Sequence, residues 1–337
     1  MKKPRIVFMA PALANSGGFY STVLRFMTIA ANRLGVDLGS INTLATPDLD
    51  AAVAQMLSGP DRPDGVVLVN SQKSPMSALR AFNAAQVHIV LACEGFYETE
   101  RPSIGFPGSP SVYWRSEISP DDQQAGRLLA STLIEMAIAR NMRSETGKLR
   151  VLALSGPFAQ AALNRLTGLR EAVQKYGSGI SYDLKMANWD EKKAHQLTAD
   201  YLRTARPQIV WAANDAIATG AAMAIEEAGL QPGRDILVGG IDWAQGILAQ
   251  VESGRFATSV GGHVMDGVWA LIMLVDAIHG HPPPPERSLK SSMVAATAEN
   301  LSQYRRALDD ALLANVDFGA RFCRPQGDYR FALDRLT

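Results

Sequence analysis

Polar and aromatic side chains follow nearly every predicted strand of this 337-residue chain, at the point where each strand ends. They are aromatic rings, amides, acids and bases: Phe19, Tyr20, Asn70, Glu94, Arg165, Trp189, Asn214, Asp242 and His263. Amide, carboxylate and guanidinium groups bind polyol hydroxyls, and aromatic faces pack on C–H surfaces. Each hydrogen bond contributes only about 1 kcal/mol net, so many must converge. The mixture predicts a site for a small polar molecule, a sugar or a sugar-like signal.

Each of these residues also has an ordinary structural interpretation. Asn and Asp are favoured at helix N-caps, which fits Asn214 ahead of a predicted helix. Phe19 and Tyr20 also fit the core face of an amphipathic helix. A capping residue can still contact a ligand, so the two interpretations are compatible.

The predicted elements alternate short apolar strands with amphipathic helices. The strands are predicted at 5–10, 36–44, 65–69, 88–92, 149–154, 180–186, 208–212, 235–240 and 256–261, with helices between them, one of them at 243–253. Strands that are apolar throughout are typical of parallel sheets covered on both faces. Right-handed connections wind such units into open doubly wound sheets, and ligands bind beyond the carboxyl ends of the strands.

The number of strands predicts an α/β protein of two lobes, because one open sheet rarely holds so many around one core. The pattern restarts at 116–120, after a short extended piece at 112–115. There Ser119 is predicted to be a helix N-cap, with Pro120 at the first helical position. The C-terminal stretch 299–337 breaks the alternation and is predicted to pack on the outside of a lobe.

Composition and motifs exclude several classes of protein. The formal net charge is zero and no basic stripe occurs, so we expect no nucleic-acid partner. No apolar run approaches the roughly 20 residues of a membrane span. GxSxG, GxxxxGK[ST] and HExxH are missing, and the sequence predicts neither an enzyme nor a cofactor.

The two cysteines, Cys93 and Cys323, and the five histidines have no metal-site spacing, so no metal is predicted. A disulfide requires Cα atoms within about 7 Å, which the sequence leaves open. At the N-terminus, basic residues before an apolar stretch ending at Ala14 imitate a short signal peptide. Because residues 6–9 are predicted to be the first buried strand, we expect any leader to lie outside this chain.

Three segments carry a resemblance to a known family. They are Asn-Ser-Gly-Gly-Phe-Tyr-Ser at 15–21, the stretch 209–221 around Asn214-Asp215, and Val-Gly-Gly-Ile-Asp-Trp at 238–243. Over most of residues 5–300 the chain resembles the type I, ribose-binding-like periplasmic binding proteins. The irregular C-terminal stretch resembles the branch with the autoinducer-2 receptor and the trimethylamine-oxide sensor.

The resemblance implies two doubly wound lobes joined by three hinge crossovers, near 116–119, 261–264 and 292–295. The first lobe would hold residues 1–117 and 263–293, and the second 118–262 and 294–337 with the tail. It implies a monomeric periplasmic solute-binding protein that closes on its ligand. The closed form would be presented to a membrane permease or a sensor kinase.

The resemblance also assigns roles to residues. Phe19 and Tyr20 fall at the family's aromatic stack and Trp189 on the opposite lobe, while Asn214 and Asp242 fall at its hydrogen-bonding amide and carboxylate, and Arg165 at an arginine used in the autoinducer-2 branch. Cys93-Glu94 replaces the Asp-Arg of ribose binders, and Gly262 or His263 replaces a glutamine. These departures argue against ribose itself.

Two alternatives stay open from the sequence. One is a ligand-binding module of the lactose-repressor type without its DNA domain. The first strand begins by residue 5, which leaves no room for a helix-turn-helix ahead of it in this chain. The other is an α/β enzyme with its site between the lobes.

Overall fold

The computed structural model describes residues 3–13, 18–70, 75–324 and 326–336. Within the predicted motif at 15–21, Asn15, Ser16 and Gly17 lie outside the described residues. The chain divides into two compact units. The first consists of Met1–Pro120, His263–Ser292 and Arg306–Thr337, and the second of Asp121–Gly262 and Met293–Arg305.

Strands and helices alternate along most of the chain. The strands are β1 Arg5–Ala10, β2 Asp37–Asn42, β3 Gly65–Leu68, β4 His88–Ala92, β5 Trp114–Pro120, β6 Leu149–Ser155, β7 Ile180–Met186, β8 Ile209–Ala212, β9 Leu237–Asp242, β10 Thr258–Gly261, β11 Ser288–Ser291 and β12 Val294–Ala296. The helices are α1 Phe19–Leu34, α2 Leu49–Ser58, α3 Met76–Ala84, α4 Arg101–Ile104, α5 Asp122–Ala139, α6 Gln160–Tyr176, α7 Glu191–Leu202, α8 Asp215–Glu227, α9 Ile247–Glu252, α10 Asp266–Ile278, α11 Leu301–Ala307, α12 Asp310–Leu313 and α13 Phe318–Phe322.

The first unit is built on a sheet of strand order β11-β5-β4-β3-β1-β2, in which every described pairing is parallel. Its central strands are buried on both faces, as their continuous apolar sequences predict. Helix α10 is buried along nearly its whole length, from Asp266 to Ala277. A helix that is apolar on all sides needs cover on all sides, which in this unit comes from the sheet, α1 and the C-terminal segment.

The second unit has a sheet of strand order β12-β10-β9-β8-β6-β7, with β12 antiparallel to β10 and the other described pairings parallel. Two glycines bring α5 and α6 close together. A Cβ on Gly126 would collide with the carbonyl of Arg165, and one on Gly168 would collide with the carbonyl of Gln123. This close approach positions the first turn of α5 beside Arg165. The predicted doubly wound α/β architecture in two parts is confirmed.

Residues 306–337 were predicted to belong to the second lobe, and that prediction is wrong because they are part of the first unit. Phe318 and Phe322 are buried in the core of the first unit, and Trp269 of α10 contacts Phe322 at a ring-centroid distance of 5.0 Å. The Asp276 carboxylate on α10 accepts hydrogen bonds from Arg324 N and Tyr329 Oη, both at 2.8 Å. The boundary at 305/306 is therefore a passage between units in addition to the three predicted. The spacing of apolar residues in the tail reveals an amphipathic segment but not which surface it covers.

Two local predictions are also corrected. Residues 114–120 form β5, so Ser119 and Pro120 end a strand, and Asp121 caps α5 by accepting from Gln124 N at 3.0 Å. The helix predicted at 243–253 begins only at Ile247, because Trp243 is buried with a left-handed φ of 58°.

Both cysteines are free thiols, Cys93 buried and Cys323 half-buried. Across the part of the chain that the structure describes, no helix is long and apolar enough to cross a bilayer.

Candidate ligand-binding residues of the two units

In the second unit, Arg165 of α6 is the centre of a buried polar cluster. Its Nε donates to Asp122 Oδ1 at 2.8 Å, and its Nη1 donates to Ala213 O at 2.7 Å and to Asp242 Oδ1 at 3.1 Å. Only 5% of Arg165 is exposed. Burial by itself lowers the pKa of Arg165, but the two carboxylates more than offset this and hold it above its ordinary value. The guanidinium is therefore permanently charged and fixed in direction.

Asp242 reaches Arg165 because of its place at the carboxyl end of β9, where its φ is 136°. The neighbouring Asp215 is fully buried in the first turn of α8, and accepts from Ser259 Oγ at 2.8 Å and from Ala244 N at 3.1 Å. Gly240 makes room for it, since a Cβ there would lie 2.5 Å from Asp215 Oδ1. Burial, and then the charge of Asp242, raise the pKa of Asp215 to about 7.

Trp189 follows β7 and lies in the same neighbourhood of the second unit. Its indole packs directly on Gly156, the residue after β6, and the Arg165 Cζ atom lies 5.8 Å from the ring centroid. Asn188 and Trp189 both have left-handed φ values, 58° and 62°, which turn the chain sharply after the strand. The half-buried aromatic ring therefore stands next to a fixed guanidinium and its carboxylate.

Asn214 plays the structural role that its sequence context predicts. Its Oδ1 accepts from Ile217 N at 2.9 Å and caps α8. The cap engages the carbonyl oxygen rather than the amide nitrogen, and Asn214 is half-buried. Capping and a ligand contact through the amide group therefore stay compatible.

In the first unit, two of the predicted aromatic residues and a histidine contact each other. The rings of Phe19 and His263 stack at a centroid distance of 4.6 Å and an interplanar angle of 27°. Tyr20 meets Phe19 edge to face at 5.1 Å. His263 is 2% exposed, so its ring supports Phe19 from the buried side. Phe19 and Tyr20 are both half-buried at the start of α1.

Asn70 and Glu94 are adjacent in the first unit, at the ends of neighbouring strands β3 and β4. Asn70 N donates to Glu94 O at 3.1 Å, and the Asn70 amide donates to Gly95 O at 3.0 Å and to Glu100 Oε2 at 2.8 Å. Glu94 Oε1 accepts from Tyr97 Oη at 2.9 Å. The side chain of Asn70 thus anchors the loop that carries Glu94.

The structure brings six of the nine predicted residues together in two groups, while Asn70 and Glu94 form a separate pair and Asn214 caps α8. Arg165, Trp189 and Asp242 form one group in the second unit, and Phe19, Tyr20 and His263 another in the first. Sequence reasoning missed Asp122, which holds Arg165 from 43 residues away. It also missed Gly156 as the support of Trp189. Both roles depend on tertiary contacts that no local pattern predicts. Asp215, by contrast, could be found from the sequence, because it directly follows Asn214.

The family model for the periplasmic binding protein domain matches residues 6–281. This chain belongs to that family. Its two α/β units have the type I fold of these proteins.

Similar proteins agree with the family assignment. A periplasmic sugar-binding protein from Pseudomonas fluorescens has a solved structure that matches with a TM-score of 0.81 and 26% identity, over 98% of this chain and 99% of that one. An ABC transporter solute-binding protein from Actinobacillus succinogenes with bound D-allose matches with a TM-score of 0.74 and 21% identity, over 90% and 100% of the two chains. The galactofuranose-binding protein YtfQ of Escherichia coli is 26% identical over 153 residues, 44% of this chain, and the match spans less than half of that protein, 46%.

Proposed function

We propose that this periplasmic binding protein binds a small sugar and presents its closed, liganded form to the permease of an ABC transporter. The observation that carries the proposal is the buried Arg165–Asp242 pair beside the Trp189 indole. A fixed guanidinium donates hydrogen bonds, a carboxylate accepts them, and an aromatic ring packs on C–H groups. A sugar offers hydroxyls and C–H surface together, and so matches all three groups.

The descriptions of similar proteins support a sugar over other polar solutes. The Pseudomonas fluorescens protein is described as sugar-binding, the Escherichia coli protein as galactofuranose-binding, and the Actinobacillus succinogenes protein contains D-allose. The last is also described as part of an ABC transporter, which favours a permease as the receiving protein. A sensor kinase is the alternative that the resemblance of the tail predicts.

The proposed mechanism is closure of the two units on the ligand. The sugar would be held by Phe19 and Tyr20 of the first unit and by Trp189, Arg165 and Asp242 of the second. Since contacts with both units are made only in the closed form, the ligand would stabilise that form by the free energy of those added contacts. We place this binding and closure in the periplasm, where its family works, with no enzymatic step.

The ligand can be identified directly. Protein purified without added sugar would be denatured, and the released small molecules measured by mass spectrometry. A thermal-shift panel of pentoses and hexoses, each present as its equilibrium mixture of ring forms, would follow, because a ligand of the native state raises the melting temperature. A sugar that raises it in proportion to the logarithm of its concentration supports the proposal. A panel without any shift, together with no released sugar, contradicts it.

Trp189→Ala tests the assignment to the second unit. We expect a loss of affinity of about tenfold or more, because the indole contributes its buried apolar area in addition to about 0.5–1.5 kcal/mol of aromatic stacking. The fold should survive because Trp189 is only half-buried. Ile138→Ala, which truncates a 40% exposed apolar side chain at the far end of α5, is the control and should bind normally.

A further inference from the structure

Phe158 stands in the turn between β6 and α6 with 87% of its surface exposed. Within the described ranges it is the most exposed of the large apolar side chains. An exposed phenyl ring is unfavourable in water, and burying it gains about 25 cal/mol for each Å² of apolar surface removed from water. A bound molecule that covered the ring would gain this free energy.

Local helix chemistry does not explain the residue. Ala159 is the N-cap of α6, so Phe158 and Leu163 occupy the two positions of a hydrophobic staple, which normally pack together. Here Phe158 is 87% exposed and Leu163 is 43% exposed. Both values are too high for a packed pair, so the staple is not what holds Phe158 in place.

The turn that carries Phe158 also supports the candidate binding residues of the second unit. Gly156, two residues earlier, is the surface on which the Trp189 indole packs. Arg165 lies two turns further along α6 and donates to Asp242. Strand β6 lies between β7 and β8 in the sheet, and those two strands lead into Trp189 and Asn214. Phe158 therefore projects from the middle of the strand ends that carry the proposed sugar contacts.

The turn is also conformationally restricted. Pro157 fixes its own φ, and Ala159 N donates to Pro157 O at 2.7 Å. The backbone that carries the ring therefore loses little conformational freedom when the ring meets a ligand.

We propose that Phe158 is a ligand contact and specificity-determining residue, which packs on the outer C–H face of a sugar bound beside Trp189 and Arg165. The inference rests on the proposed sugar binding and deepens it. It implies that the preferred sugar presents an apolar face or a deoxy or methyl group to Phe158. Sugars with hydroxyls on that face would leave those hydroxyls against a phenyl ring, without hydrogen-bond partners, and would bind more weakly.

The test compares four proteins by isothermal titration calorimetry, with the sugar that gives the largest shift in the thermal panel. They are the wild type, Phe158→Ala, Phe158→Tyr and the control Ile138→Ala. We expect Phe158→Ala to weaken binding about five- to tenfold, Phe158→Tyr to retain affinity within about twofold, and the control to bind as the wild type does. All variants should fold, since the substituted side chains are exposed.

Each outcome decides the matter. Loss in Phe158→Ala with retention in Phe158→Tyr supports a ring contact with the sugar. Unchanged affinity in Phe158→Ala overturns the inference and leaves the proposed function standing. Unchanged affinity combined with lost uptake in permease-containing vesicles would assign Phe158 to the permease instead, which also overturns it. A wild type that binds no sugar overturns the proposed function and this inference with it.

Discussion

Replacing Gly156 with alanine should displace the Trp189 indole and weaken ligand binding. A Cβ built on Gly156 would lie 2.5 Å from both Cε2 and Cη2 of the indole. Carbon atoms in contact lie about 3.5–4.0 Å apart, so the ring must move by about 1 Å or more. The backbone of Gly156 is not in the left-handed region, so alanine introduces no strain of its own.

The magnitude follows from what the indole contributes. Losing an aligned aromatic contact costs about 0.5–1.5 kcal/mol, and a further loss is expected because the indole also lies against the Arg165 guanidinium. We therefore expect the dissociation constant to rise about three- to twentyfold. Because the half-buried ring can relax outward, the loss of folding stability should stay below about 1 kcal/mol.

Isothermal titration calorimetry measures the affinity, and the tryptophan emission spectrum reports the changed surroundings of the indole. Gly179→Ala is the matched control, since Gly179 is in the same unit, has no left-handed φ, and a Cβ there meets nothing within 4 Å. It should bind as the wild type does. If Gly156→Ala bound its sugar with unchanged affinity, the placement of Trp189 in the binding site would be refuted.

Three further predictions concern titration, packing and thiols. Because the pKa of Asp215 is raised from 3.8 to about 7, the folded state keeps a proton that the unfolded state loses. The contribution of Asp215 to stability is full below about pH 4 and is lost as the pH rises through 7. Asp215→Asn should therefore flatten the dependence of the melting temperature on pH between about 4 and 7. Phe322→Ala should destabilise the first unit by about 3–5 kcal/mol, seen by calorimetry as an earlier transition, because the ring is 1% exposed. An unaltered transition would mean that the tail is not docked there. Burial raises the pKa of Cys93 well above its ordinary value and that of Cys323 to about 12, so both thiols should alkylate slowly at pH 8 in the native protein. Both should react in guanidinium without reductant, and a missing thiol would contradict the free cysteines.

Much of the fold could be predicted from the sequence, because doubly wound sheets have a local signature. The buried strands β3, β4 and β8 are short apolar runs between amphipathic helices, so their positions along the chain can be recognised without tertiary information. The secondary structure of residues 114–120 was harder to predict, since Ser119 and Pro120 suit a helix start as well as the end of β5. Residues 117–120 form a strand because they pair with residues 288–291, a contact between positions 171 residues apart in the sequence.

The candidate site was predictable in residue types but not in contacts. Strand ends supplied Trp189, Asn214 and Asp242, because the parallel sheet fixes which residues share an edge. The link from Arg165 to Asp122 depends on the close packing of α5 on α6. In the sequence the only trace of this packing is the pair Gly126 and Gly168, and nothing local shows that these two residues meet. The tail was misplaced for the same reason, since Phe318 and Phe322 show an apolar face without naming the surface beneath it.

Hydrogen–deuterium exchange with and without the sugar measures whether residues of both units hold one ligand, as proposed above. We expect slower exchange, on adding sugar, at the start of α1 and at 263–265 in the first unit. We expect the same at 156–159, 187–190 and 242–244 in the second. Protection confined to one unit, or absent from both at saturating sugar, would contradict the proposal.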